Sequence, residues 1–205
     1  FIVYKMCLKT LFLTKKIMKK QLLFLSFLIF NFHLINAQYQ IGQDIVGEAA
    51  WDQLGNTTAI SANGTRIVLG SNRYSGAGIF YGQVKIYDYN GTSWEQVGNE
   101  ILGTHNYNGI GAIVSISADG SLVAFSTKNS SDTPGQLTNL KEVFVYELNG
   151  NDWIQKGQKI RENNFSDLFG NALSISDDGQ KLVVGDHTNS ASGSLAGHVR
   201  VFNYD

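Results

Sequence analysis

The chain has 205 residues, 43% of them hydrophobic, and a formal net charge of −1. The first 37 residues hold six of the 16 Lys and Arg and none of the 17 Asp and Glu, so residues 38–205 carry ten cations against 17 anions, a net −7. An acidic chain with no run of clustered Lys and Arg cannot neutralise a row of phosphates, which excludes nucleic acid as a partner; the single cysteine, Cys7, leaves residues 38–205 without disulfide or thiolate chemistry.

Residues 1–17 (FIVYKMCLKTLFLTKKI) precede Met18 and read as upstream read-through ahead of the start. Met18-Lys19-Lys20, the apolar run from Leu22 to about Leu34 and the small residue Ala37 make up the three parts of a signal peptide over 18–37, cleaved between Ala37 and Gln38. The run is shorter than the roughly 20 residues of a membrane span. The mature chain, 38–205, is therefore expected to lack a membrane span and to be secreted or held at the cell surface.

From Gln38 onward the sequence repeats. AISANGTRIVLG (59–70), SISADGSLVAFS (115–126) and SISDDGQKLVVG (174–185) are versions of one stretch, with turn glycines Gly64, Gly120 and Gly179. Gly55, Gly111 and Gly170 recur before the turn, and Val84, Val143 and Val199 after it. Trp94 and Trp153 follow, then Gly98 and Gly157, with Gly42 in the matching place at the start.

Each unit predicts four short strands. The first two flank Asn63-Gly64, Asp119-Gly120 or Asp178-Gly179, dipeptides favoured in type I′ hairpins. The third is Gln83–Tyr89 and its matches, alternating so that Val84 and Ile86 share one face and Lys85 takes the other. A second hairpin, Asn90-Gly91 or Asn149-Gly150, leads into a fourth strand at Trp94 or Trp153. The expected fold is all-β: blades of four antiparallel strands in a β-propeller, about three blades in an incomplete ring, with units near 39–94, 95–153 and 154–205. A parallel β-helix competes less well, because its coils are shorter and need no paired hairpins. Tyr39–Ile45 matches Glu95–Ile101, so the chain opens on a fourth strand, and Val201–Asp205 matches Ile86–Asn90, so it stops inside a hairpin. Known propellers have about four to eight blades, and the natural product is expected to continue with Gly and then Trp.

Leu168–Ser176, the Asp-Asp-Gly turn, Leu182–Gly185 and Gly197–Phe202 resemble the FG-GAP repeats of integrin-α-like propellers, in particular those that bacteria secrete or display. The Phe-Gly pair is intact as Phe169-Gly170, with Leu54-Gly55 and Ile110-Gly111 in the other units. The resemblance implies a non-catalytic propeller for extracellular binding or adhesion, with a protein or glycan ligand. FG-GAP loops often carry calcium on Asp-x-Asp/Asn-x-Asp-Gly, but here that loop has shrunk to Ala62-Asn63-Gly64, Ala118-Asp119-Gly120 and Asp177-Asp178-Gly179, too short to wrap a cation needing 6 to 8 oxygens. No metal or cofactor is expected.

The chemistry-bearing residues read as structural. Asp177 and Asp178 are adjacent and point apart. Asp186, His187 and His198 are the raw material of a zinc or acid/base site, but Ser71 and Gln83 stand where Asp186 and His198 would recur, and His105 is isolated. Gly-x-Ser-x-Gly, His-Glu-x-x-His and a helix-capping phosphate loop are all missing, and Gly76-Ala77-Gly78 belongs to a strand connection. Trp94 and Trp153 recur with the repeat and are expected to pack between blades. The polar insert Lys128–Lys141 is a candidate recognition loop. The expectation is therefore not an enzyme; the alternative is a polysaccharide-acting propeller enzyme whose catalytic residues lie elsewhere.

Overall fold

The computed structural model describes residues 12–21, 38–128, 141–161 and 168–204. The chain divides into two compact units, Phe1–Ile41 and Gly42–Asp205. In the first, residues 12–21 are helical; among the described residues no helix is long and apolar enough to cross a membrane. Residues 22–37, most of the expected signal with Ala37 of its cleavage point, lie outside the described residues, as do 129–140 of the insert.

The second unit is built of three antiparallel sheets. Blade one holds β1 (Thr57–Ile60), β2 (Arg66–Ser71), β3 (Gln83–Tyr89), β4 (Trp94–Gln96) and β5 (Ile101–Leu102). Blade two holds β6 (Ile110–Ile116), β7 (Leu122–Thr127), β8 (Glu142–Asn149), β9 (Asp152–Gln155) and β10 (Ile160–Arg161); blade three holds β11 (Ala172–Ile175), β12 (Lys181–Asp186) and β13 (His198–Asn203). The architecture is an all-β, propeller-like array left open at both ends. The fourth position of blades one and two is occupied by two short strands: β4 and β5 both pair with β3, and β9 and β10 both pair with β8. Left-handed Gly98 and Gly157, at φ 69° in both cases, fall in the break. Each sheet is thus offset from the sequence units, because the segment after each Trp stays bonded to the sheet before it.

The core lies between blades. Val68, Val84, Ile86 and Ile101 of blade one meet Ile110, Val114, Val123, Phe125 and Trp153 of blade two. On the other side of blade two, Leu122, Ala124, Val143 and Val145 meet Phe169, Ile175, Leu182 and Val184 of blade three. Strand alternation sends neighbouring residues of β7 to different cores, so all six of its residues are buried. Half-burial holds less well for β3, where Lys85 is 7% exposed although it faces away from Val84 and Ile86. The reason is an ionic cover: Glu48 and Glu100 pair with its ammonium group.

The shared hairpin has one geometry in all three blades. Gly64, Gly120 and Gly179 are left-handed (φ 72°, 76° and 70°) and donate to the carbonyls of Ser61, Ser117 and Ser176. The turns differ from the expected type I′ form: Asn63, Asp119 and Asp178 are not left-handed, and the closing pair is Ser61–Arg66, Ser117–Leu122 or Ser176–Lys181, which leaves four-residue loops. The side-chain oxygen of Asn63, Asp119 or Asp178 accepts from the preceding serine hydroxyl and from the backbone of Thr65, Ser121 or Gln180. These local bonds favour the wider loop over the two-residue turn.

Candidate functional site on the loop end of the blades

In an antiparallel meander the connections alternate between two ends. The short hairpins at 61–65, 117–121 and 176–180, with those at Asn90-Gly91 and Asn149-Gly150, share one end. Gly91 and Gly150 are left-handed there (φ 98° and 63°). The longer connections, which differ between repeats, share the other: 72–82, 103–109, 187–197 and the segment 46–56 before β1. Repetition at one end and variation at the other direct the search for a ligand site to the second.

Between blades one and two this end holds a cavity of about 190 Å³ lined by Asn72, Arg73, Phe80, Tyr107, Gly109 and Lys128. Two loops are bonded across it. The Tyr107 amide donates to the Ile79 carbonyl (2.7 Å), Gly109 to Phe80 (2.9 Å) and Ile110 to Tyr81 (3.2 Å), while Ile79 donates to Asn106 Oδ1 (2.9 Å). Phe80 and Tyr107 are both left-handed, at φ 50° and 63°, a conformation that bulky residues hold only when their surroundings fix it. Their rings meet edge to face, centroids 5.8 Å apart, and the Arg73 guanidinium lies 5.6 Å from the Phe80 ring. Asn72 Oδ1 is buried there with no hydrogen-bond partner among the described residues.

The electrostatics depart from the expectation of a chain without a basic patch. Folding gathers Arg73 and Lys128 at one cavity, and Lys141 lies near enough to Lys128 to feel its charge. Burial pushes the Lys141 ammonium below its usual range; Asp186 opposes that shift and Lys128 adds to it. Lys141 Nζ also donates to Asn171 Oδ1 at 2.7 Å. The arrangement offers cationic donors and two aromatic rings within one small opening.

The other candidates separate clearly. Asp178 and Asp119 are turn acceptors, their carboxyls held below the ordinary range chiefly by the Ser176 and Ser117 hydroxyls. The Asp177 carbonyl accepts from the Ala118 amide of blade two, as the Ala118 carbonyl accepts from Ala62 of blade one, so this stretch also joins blades. Trp153 is 9% exposed, lies in the first inter-blade core and donates from Nε1 to the Val97 carbonyl (3.0 Å). Trp94 packs beside Tyr89, and Gly42 approaches its ring so closely that a Cβ there would lie 2.8 Å from Cδ1. Gln38 is exposed.

Asp186 and His198 face each other in the β12–β13 register and line, with His187, a second cavity of about 440 Å³ on the open side of blade three. Asp186 is 1% exposed and accepts from the Thr188 amide and hydroxyl through Oδ1. Among the described residues no group of three His, Cys, Asp or Glu is placed to hold a metal ion. Sequence reasoning missed Phe80, Tyr107 and Arg73 altogether. The repeat comparison held the only usable signal for them, since this loop is where the units diverge.

No family model and no curated protein matches the chain. Among solved structures, a Bacteroides uniformis protein named as a candidate 6-phosphogluconolactonase is similar over 83% of this chain and 43% of its own, at 13% identity and a TM-score of 0.47. The tricorn protease is similar over 77% of this chain and 14% of its own, at 12% identity and a TM-score of 0.42. This chain therefore spans less than half the length of either protein. The expectation that it is not an enzyme is corrected by the first likeness, since a structure of similar shape bears an enzyme's name and the fold does not exclude catalysis. At that identity the likeness assigns no reaction to this chain.

Proposed function

We propose that this chain is an exported β-propeller module, secreted or held at the cell surface as part of a larger protein, that binds an acidic glycan outside the cell. The observation that carries the reading is the cavity between blades one and two. Arg73 and Lys128 suit a sugar carboxylate, and the Phe80 and Tyr107 rings suit the C–H face of a pyranose. Its volume of about 190 Å³ is below the roughly 300–1,000 Å³ of drug-sized pockets, which favours one sugar ring of a longer chain. The FG-GAP resemblance supports extracellular binding of a protein or glycan.

A glycan screen followed by calorimetry tests the reading. A uronic-acid oligosaccharide is expected to bind, its carboxyl-reduced form to bind less, and Lys128→Ala and Tyr107→Ala each to weaken binding about tenfold, the equivalent of roughly 1.4 kcal/mol. Equal binding of the neutral and acidic forms, or none of either, contradicts the reading. Release of shortened product from the bound glycan makes the site catalytic.

A further inference from the structure

We infer that Asn149 is a site of spontaneous covalent change, losing its side-chain amide to the next backbone nitrogen, and that one of the two products loosens the hairpin that seats Trp153. The reaction is open to any asparagine followed by glycine, which has no Cβ to shield its nitrogen. The Gly150 nitrogen attacks Asn149 Cγ, the side-chain nitrogen leaves as ammonia, and a five-membered imide closes. Water then opens the ring. Breaking the bond from the ring nitrogen to Cγ gives aspartate, and breaking the bond to the backbone carbonyl carbon gives isoaspartate, whose main chain runs through the side chain and is one methylene longer. The sum is one water taken up and one ammonia released.

The sequence holds four such pairs: Asn63-Gly64, Asn90-Gly91, Asn108-Gly109 and Asn149-Gly150. The glycine is left-handed in all four, at φ 72°, 98°, 59° and 63°, so backbone freedom does not separate them. Hydrogen bonding does. Asn63 Oδ1 accepts from the Ser61 hydroxyl (2.8 Å) and from the Thr65 amide and hydroxyl (3.0 and 2.9 Å), and the Gly64 amide that would attack donates to the Ser61 carbonyl (2.9 Å). Asn90 Oδ1 accepts from the Thr92 and Ser93 amides (2.9 and 2.8 Å), while its Nδ2 donates to Ser93 Oγ and Glu95 Oε1 (3.1 and 2.7 Å). Asn108 is 3% exposed and accepts from the Thr104 amide (3.3 Å), and the Gly109 amide crosses to the Phe80 carbonyl (2.9 Å). Asn149 is exposed, and its side chain has no partner among the described residues. A Cβ on Gly150 would have nothing within 4 Å, so water reaches this apex freely. Strand pairing alone restrains Asn149, which ends β8 opposite Asp152, at the end of the hairpin where opening is easiest.

The next pair along the ladder gives the change its consequence. Leu148 pairs with Trp153, which fills the first inter-blade core, donates from Nε1 to the Val97 carbonyl and lies 5.8 Å from the Arg66 guanidinium. Aspartate at 149 leaves the main chain as it is and adds one charge at an exposed turn. Isoaspartate lengthens the main chain beside that pair, so the register that places Trp153 is no longer met.

The full chain is incubated folded in a mildly alkaline buffer and, in parallel, unfolded in urea. Mass spectrometry of each Asn-Gly peptide follows the exchange of amide for acid, and fragmentation separates isoaspartate from aspartate. Each folded rate is divided by the unfolded rate of the same site, which removes the influence of neighbouring residues. The ratio at Asn149 should exceed those at Asn63, Asn90 and Asn108 by about tenfold or more, the equivalent of roughly 1.4 kcal/mol of restraint. Asn149→Gln, which must close a six-membered ring, should remain unmodified. Any of the other three sites matching Asn149 in the folded protein, or no reaction at Asn149 there, overturns the inference. Parent enriched in isoaspartate at 149 should unfold at a lower temperature than Asn149→Asp; equal midpoints overturn the loosening of the hairpin.

Discussion

Gly70→Ala probes the contact between blades one and two where there is least room. Gly70 lies in β2 without a left-handed backbone, so alanine meets no conformational objection there. Its Cβ would nevertheless lie 2.3 Å from the Gly111 carbonyl oxygen and 2.4 Å from Thr57 Cγ2. The carbonyl is backbone, held by a joint that crosses both blades, and it cannot swing aside as a side chain would. The penalty is therefore placed at the upper end of the range for overpacking, about 3 kcal/mol. At roughly 2–4 °C per kcal/mol for a domain of this size, thermal unfolding should shift down by about 6–12 °C. Gly185→Ala in blade three is the internal control, since the equivalent Cβ meets only Ala172. Scanning calorimetry on parent and both variants gives the answer. A Gly70→Ala midpoint within about 2 °C of the parent refutes the close approach of these blades.

Trp153→Ala should destabilise by about 3–5 kcal/mol, because it empties an inter-blade core position and strands the Val97 carbonyl, whereas Trp94→Ala should cost less because that ring is only half-buried; urea unfolding compares them. Asp119 has its folded carboxyl held below the ordinary range, chiefly by the Ser117 hydroxyl and the Ser121 amide, so its contribution is present above the unfolded value near 3.9 and is lost as pH falls through the folded one. Asp119→Asn, which copies Asn63, should match the parent at neutral pH and flatten the acid loss, and Asp119→Ala should cost about 1 kcal/mol for this exposed turn; an unchanged pH profile in Asp119→Asn refutes the assignment.

The sequence made the blades legible because each rests on a local rule. A glycine after Asn or Asp, apolar residues two apart and a recurring Trp are enough to place the hairpins and the strands that flank them, though not the short β5 and β10 that follow the Trp. The turn type was not legible, because Ser61, Ser117 and Ser176 reach back to the loop through bonds that a dipeptide rule ignores. Lys85 looked solvent-facing, and only the fold brings Glu48 and Glu100 over it. The loop-end cavity escaped for a related reason: Arg73, Phe80, Tyr107 and Lys128 come from three connections and share no motif. Left-handed backbone at Phe80, Tyr107, Trp51 and Leu195 left no trace in residue type, since these side chains ordinarily avoid it. Comparison of the units still held a clue, for Trp51 stands to Gly55 as Tyr107 stands to Gly111.

Amide hydrogen exchange, resolved by residue in dilute single-chain protein, tests most directly the claim that each blade is held by a repeated joint to its neighbour. The amides of Gly109 and Ile110 cross the joint to the Phe80 and Tyr81 carbonyls and should exchange slowly. Those of Gln53 and Leu54, the same positions one repeat earlier, have no such acceptor among the described residues and should exchange fast. Equal protection at the two pairs, or faster exchange at Gly109 and Ile110, would contradict the account.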